Sequence, residues 1–324
     1  MEAQPRPATG RELDPVLLHV GYHRTGTTWL QTSLLGDRAA GFASPLNKSA
    51  DVFPMLIAPH SLDFDPAVCR ELMYPRLLDA QDEGLIPVVS SERLVGSPNF
   101  GGRDSKELAD RVAAVFPHAR VLVGIREQRG MLLSSYKSYV NAGGSGSVAD
   151  YLEPPLHGGG VPRFDLAHFE YDRLVGYYGR LFAPDRVMVA PLERVVHDPA
   201  SVTREIAALC GMDPERTSAG ADSLAGKRNA GLSGVATAVK RPLNPIFARD
   251  RLNPRPLVPV RDGDRRLRRL SRYVASRAPR SWNKAADARL MDEIVSIVDG
   301  RYVASNQRLR ETTGVPLERF GYQL

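Results

Sequence analysis

Only two cysteines, Cys69 and Cys210, occur in 324 residues. Two thiols neither staple a small secreted domain nor complete a structural zinc site, so both are read as reduced and partly buried. No His/Cys cluster calls for a metal. No stretch approaches the roughly eighteen uncharged apolar residues that cross a bilayer. The first fifteen residues, with Pro5, Pro7, Thr9 and Gly10, lack the apolar core of a secretory leader. These absences favour a cytoplasmic enzyme with no integral membrane association. No repeat at a solenoid period is visible either.

What is present is an ordinary globular composition, with 43% apolar and 25% charged residues, enough for one large core. The expectation is a single domain over 1–324, with a flexible N-terminus at 1–14, a flexible insertion at 141–163 and a basic cap at 227–285. Charge is unevenly placed. The chain carries +6, but Lys227–Arg289 holds 17 basic and 4 acidic residues, +13, which leaves −7 elsewhere. Such a region attracts a nucleotide, an anionic glycan, nucleic acid or a membrane surface, and charge alone does not choose among them.

The apolar run Val16–Val20 reads as a buried strand, followed by a glycine-containing turn and a helix in which Leu30 and Leu34 share a face. Helices are expected over Pro66–Leu78, with Val68, Leu72, Leu77 and Leu78 as its apolar positions, over Ser105–Phe116 and over Arg129–Val140. Strands are expected at Ile86–Ser91 and Ala119–Ile125. Glu92 and Arg126 stand at the ends of those two strands, at the edge where open parallel sheets bind ligands. Gly143–Ser147 and Glu153–Gly160 read as an irregular excursion. A helix at Phe164–Phe182, a strand at Arg186–Ala190 and a helix at Ser201–Leu209 follow. Pro242, Pro245, Pro254, Pro256 and Pro259 are expected to break residues 241–263 into a loop, with Tyr273, Trp282 and a last helix at Ala286–Tyr302 packing that region back. The fold class is α/β, a P-loop-type parallel sheet flanked by helices, with helical and proline-rich cap insertions.

The turn itself, Gly21-Tyr22-His23-Arg24-Thr25-Gly26-Thr27-Thr28, follows a strand and opens a helix, the order in which backbone N–H groups line an anion cradle. Thr27 occupies the place where a nucleoside-triphosphate loop carries Lys. The basic side chain has moved forward to Arg24, which disfavours Mg²⁺-dependent kinase chemistry.

His19–Gln31, through Trp29, resembles the 5′-phosphosulfate loop of the sulfotransferases that use 3′-phosphoadenosine 5′-phosphosulfate (PAPS). The resemblance implies PAPS as donor, an in-line transfer that requires no metal, and adenosine 3′,5′-bisphosphate (PAP) as product. It places Tyr22, His23, Arg24, Thr25, Gly26, Thr27, Thr28 and Trp29 around the donor. Family members commonly have Lys at Arg24, and the guanidinium keeps the charge with a more rigid fork. Arg126 and Ser134, eight positions later on a helix, resemble the pair that holds the 3′ phosphate, Arg contributing charge and Ser a directional hydroxyl. Lys227-Arg228-Asn229-Ala230-Gly231 resembles, more loosely, the basic loop that folds over the same phosphate.

Sulfuryl transfer needs charge stabilisation, assigned to Arg24, and a proton acceptor. Glu92 is the preferred general base, a salt bridge from it to Arg93 or a partner elsewhere competes with that role, and His23 is the alternative base. The acceptor is expected to be a hydroxyl or amine of a small molecule, carbohydrate or glycolipid. Two rival functions are a P-loop small-molecule kinase and a nucleic-acid or anionic-polymer binding module built on the arginine-rich 265–269 run. Nucleic acid is the less favoured partner because the loop accounts for more residues than the charge run. Oligomeric state stays open.

Overall fold

The computed structural model describes residues 11–98, 101–154, 164–214, 231–247 and 253–324. Its strands are β1 (Leu17–His19), β2 (Phe42–Ala43), β3 (Ile86–Ser90), β4 (Arg120–Ile125) and β5 (Val187–Pro191). They form one sheet in the order β2-β3-β1-β4-β5, and every pairing is parallel. Strands covered by helices on both faces need continuous apolar runs, and Leu17, Leu18, Val88, Val89, Val121 and Leu122 have no exposed surface. The order places β1 at the centre. The chain moves first to the β2–β3 side and then to the β4–β5 side, so the carboxyl edge around β1 is the switch point of an open α/β sheet.

The helices are α1 (Thr27–Ser33), α2 (Pro66–Asp82), α3 (Ser105–Val115), α4 (Gln128–Asn141), α5 (Val148–Leu152), α6 (Tyr171–Phe182), α7 (Leu192–His197), α8 (Pro199–Leu209), α9 (Gly234–Phe247), α10 (Gly263–Arg277), α11 (Arg280–Val298) and α12 (Val303–Thr313). A ten-residue π-helical stretch, Lys48–Ile57, leads from β2 towards α2. Contacts divide the chain into two compact units. The first comprises 1–126, 168–227 and 303–324 and contains the sheet. The second comprises 127–167 and 228–302.

Several expectations need correction. The buried residues of α2 are Cys69, Met73, Leu77, Leu78 and Ala80, so Leu77 and Leu78 are buried as expected, while Val68 and Leu72 are exposed. The sequence offers two apolar stripes, and packing selects the one that meets the sheet. Residues 11–14 are tied down, with Leu13 buried, Arg11 paired to Asp82 and Arg120 to Asp14. Part of the glycine-rich excursion is helical: Ser147 and Asp150 close a capping box that starts α5. Residues 155–163 lie outside the described set. The helix expected from Phe164 begins at Tyr171, after a 3₁₀ turn at Leu166–Phe169.

The largest difference is α9, which carries Pro242 and Pro245 inside a helix where a loop was expected. The backbone bonds that proline forfeits are offset by a buried polar network. Asn244 Nδ2 donates to the Val140 and Gly144 carbonyls at 2.8 and 2.7 Å, and Lys240 Nζ donates to Asn244 Oδ1 at 2.7 Å. Tyr273 and Trp282 do not pack the region back; both are exposed.

Candidate functional site

The carboxyl edge of β1 continues its ladder into the loop. Val20 N donates to Leu122 O and Tyr22 N to Gly124 O, each at 2.9 Å. Thr25 Oγ1 then donates to Tyr22 O at 2.6 Å and closes the turn. Gly26 stands at φ 75° directly before α1, a left-handed backbone that favours glycine, and a Cβ there would push on Leu192 Cδ1. Arg24 adopts φ 70° without being glycine. A left-handed non-glycine residue costs on the order of 1 kcal/mol and persists where the surroundings enforce it, which is common at functional sites.

These contacts sort the residues expected at the donor. The Tyr22 ring is buried in an aromatic cluster, 4.7 Å from the Tyr171 ring centroid and 5.0 Å from that of His168. Its amide is bonded to Gly124 O, so both ring and amide serve the fold. The Thr25 hydroxyl is likewise committed to loop closure. Thr27 is buried and Thr28 exposed in the first turn of α1, whose seven residues make only a weak dipole. Trp29 packs against the core that contains Leu30 and Leu34, and its Nε1 is buried without a hydrogen-bond partner among the described residues. His23 Nδ1 is in the same condition.

Arg24 and Arg126 come from neighbouring parts of the sheet edge. Arg126 follows β4, with its carbonyl accepting from Tyr171 Oη at 2.7 Å. Burial, and then the positive charge of Arg126, hold the Arg24 guanidinium below its usual pKa. The two cations are therefore close enough to repel. Ser134 lies on α4 in the second unit, half-buried, its carbonyl accepting from Ser138 Oγ at 2.9 Å. Lys227 and Arg228 lie outside the described residues.

Glu92 begins a 3₁₀ turn beyond β3, capped by the Ser91 side chain. Its partner is Lys48, whose Nζ lies 3.1 and 3.3 Å from the two carboxylate oxygens. Arg93 pairs instead with Asp104 at 3.1 Å. Asn47 positions Lys48 by capping the π-helical stretch, its Oδ1 accepting from Ser49 N and Ala50 N. Burial works to raise the Glu92 pKa, but a bond from its own backbone amide and the Lys48 ammonium outweigh it and hold the carboxyl below the usual range. Burial first, and then the charges of Arg93, Lys48 and Arg24 against the opposing pull of Glu92, hold His23 below its usual pKa. Glu92 is thus ionised and His23 neutral near pH 7. Lys48 escaped the sequence reading because nothing in its spacing connects it to a strand end 44 positions away.

His19 lies beneath the loop with no exposed surface, its Nδ1 2.8 Å from Ser90 Oγ, to which Gln31 Nε2 also donates at 2.8 Å. Burial lowers its pKa to about 4 against a weaker raising effect of Glu92. The unfolded chain takes up this proton below about pH 6.5 and the folded protein only near pH 4, so stability rises with pH across that window. Protonation of His19 is expected to account for about 3 kcal/mol of stability lost between pH 7 and pH 4. Urea unfolding at several pH values should show a shallower loss in His19→Asn than in the parent; equal slopes would assign the acid sensitivity elsewhere.

Among the described residues, no three His, Cys, Asp or Glu side chains stand together as metal ligands, and no helix is long and apolar enough to cross a membrane. Cys69 and Cys210 are free and buried.

The site belongs to an α/β protein with a parallel sheet flanked by helices and two guanidinium groups at its carboxyl edge. No protein-family model matches the chain, and no curated protein does. Solved structures similar to it include a sulfotransferase from Alicyclobacillus acidocaldarius, at 20% identity and TM-score 0.45, covering 64% of this chain and 83% of that one. The sulfotransferase domain of the Synechococcus PCC 7002 olefin synthase is similar at 15% identity and TM-score 0.39, with 71% and 94% covered. The sulfotransferase domain from the curacin biosynthetic pathway is similar at 12% and 0.40, with 79% and 97% covered. Likenesses this distant leave the function to be argued from the chain's own residues.

Proposed function

We propose that this protein is an enzyme that transfers a sulfuryl group from PAPS to an acceptor hydroxyl or amine and releases PAP. The observation that carries the reading is the pair Arg24 and Arg126. Two mutually repelling guanidinium groups at a sheet's carboxyl edge, one of them held in strained backbone, are stabilised when an anion binds between them. The unpartnered nitrogens of His23 and Trp29 add buried polar atoms to the same loop that a bound anion or nucleotide can satisfy. The His23, Arg24 and Gly26–Trp29 set is therefore assigned to the phosphosulfate end. Arg126, Ser134, Lys227 and Arg228 are assigned to the 3′ phosphate on the motif resemblance.

PAPS supplies the activated sulfuryl group; the chain's residues supply placement, charge and a proton acceptor. The acceptor oxygen or nitrogen forms the new bond to sulfur while the sulfur–oxygen bond to the leaving bisphosphate breaks. Arg24 donates to the oxygens on which charge accumulates. Glu92, ionised and oriented by Lys48, takes the acceptor's proton. No step of this scheme draws on a metal. The acceptor fits as a small molecule or a carbohydrate, glycolipids included, and the protein acts in the cytoplasm.

Calorimetric titration with PAP, PAPS, ADP and ATP, with and without Mg²⁺, tests the reading. PAP and PAPS are expected to bind about 100-fold more tightly than ADP or ATP, without metal dependence, since the 3′ phosphate adds charge-assisted bonds. Metal-dependent preference for ATP would move the assignment to a kinase. Tight nucleic-acid binding at moderate salt with no preference for PAP would move it to a polyanion-binding module.

A further inference from the structure

The exposed face of α10 is cationic. Arg265, Arg266, Arg269, Arg272 and Arg277 all stand exposed on this fifteen-residue helix. Its one acid, Asp264, is turned to Lys240 at 3.1 Å and Arg268 at 2.5 Å, and among the described residues no carboxylate forms an ion pair with the outer arginines. Tyr273 lies among them, with the Arg277 guanidinium 3.7 Å from its ring centroid.

Apolar side chains border the same face. Leu270 and Val274, one turn apart, are exposed along its edge. Leu257, 78% exposed, and Val258 precede the helix, and Trp282, 64% exposed, follows it in the first turn of α11. Six of the eleven large apolar or aromatic residues exposed among the described residues therefore fall between Leu257 and Trp282. Single exposed apolar residues need no explanation, but several along and flanking one arginine-rich helix face are the composition of a helix that lies at a membrane interface.

We propose that α10 and its two flanks dock the protein on an anionic lipid surface. The arginines meet the headgroups, Tyr273 and Trp282 sit at headgroup level, and Leu257, Val258, Leu270 and Val274 enter the acyl boundary. A polyanion such as a nucleic acid or sulfated glycan satisfies the arginines equally well but offers the four aliphatic side chains nothing apolar. This surface lies wholly in the second unit and does not depend on the sulfuryl-transfer assignment.

The test uses the full chain and vesicles of phosphatidylcholine, alone or with about 30% phosphatidylglycerol. Sedimentation is expected to show at least about 20-fold tighter binding to the anionic vesicles, weakening as salt rises. Binding should be lost in Arg265→Glu/Arg269→Glu/Arg272→Glu. It should also be lost in Leu270→Ser/Trp282→Ser, which keeps every arginine. A heparin fragment should bind the second variant as well as it binds the parent. The chain has two tryptophans, Trp29 and Trp282, so a blue shift of emission on anionic vesicles should vanish in Trp282→Phe. Equal binding to neutral and anionic vesicles would overturn the proposal. So would vesicle binding unchanged by Leu270→Ser/Trp282→Ser, or tighter binding to heparin than to vesicles, which would make the face a polyanion site. Unchanged thermal midpoints certify the variants, and the salt series on the parent decides the point if the triple reversal fails to fold.

Discussion

Arg24→Gly is expected to lower sulfuryl transfer by about 10³-fold while leaving stability within about 1 kcal/mol of the parent. The substitution separates chemistry from folding because Arg24 already sits at φ 70°. Glycine relieves the left-handed strain, and the added freedom of the unfolded chain offsets part of that gain. A sulfated-product assay, PAP calorimetry and urea unfolding should be run on the same preparations. If transfer falls further than PAP affinity, the guanidinium acts mainly on charge that develops in the transition state; equal losses would assign it to ground-state binding. Arg24→Lys keeps the charge without the fork and is expected to stay within about tenfold of the parent. Undiminished transfer in Arg24→Gly would remove the basis of the assignment.

Glu92→Gln is expected to slow turnover by about 10²- to 10⁴-fold with PAP affinity retained, because the amide keeps the shape and loses the proton acceptor. The pH dependence has a defined direction. A carboxyl held below its usual range by its own amide and by Lys48 stays ionised into mild acid, so the acid limb of the turnover profile should fall below the ordinary glutamate range. Lys48→Met removes the ammonium 3.1 Å away, and the Glu92 carboxyl should then titrate at higher pH and carry the limb upward with it. An acid limb that stays put in Lys48→Met would take the base role from Glu92 and leave His23 as the candidate.

Much of the sheet edge was legible because its signals are local. Strand, loop and helix around residues 17–33 follow one another without interruption, and Arg126 ends an apolar run whose length marks a buried strand. The burial of the Tyr22 ring was not legible for the converse reason: it is drawn inward by His168 and Tyr171, residues from a distant part of the chain. The prolines of α9 misled in the same way. Proline's local preference is to break a helix, and the bonds that overrule it come from Asn244 to carbonyls about a hundred positions earlier.

From its residues alone this chain specifies an α/β protein, a glycine-bounded loop bearing Arg24, a second arginine at a strand end, and a strongly basic later segment. Those features follow from periodicity, turn chemistry and charge, all of which act over a few neighbouring residues. Folding in three dimensions determined that Arg24 lies within the field of Arg126, that Lys48 holds Glu92, and that Asp264 is spent on Lys240 and Arg268 while Arg265, Arg266, Arg269, Arg272 and Arg277 face outward. Each of these depends on distances between residues remote in sequence, and electrostatic energy depends on those distances and on burial rather than on order along the chain.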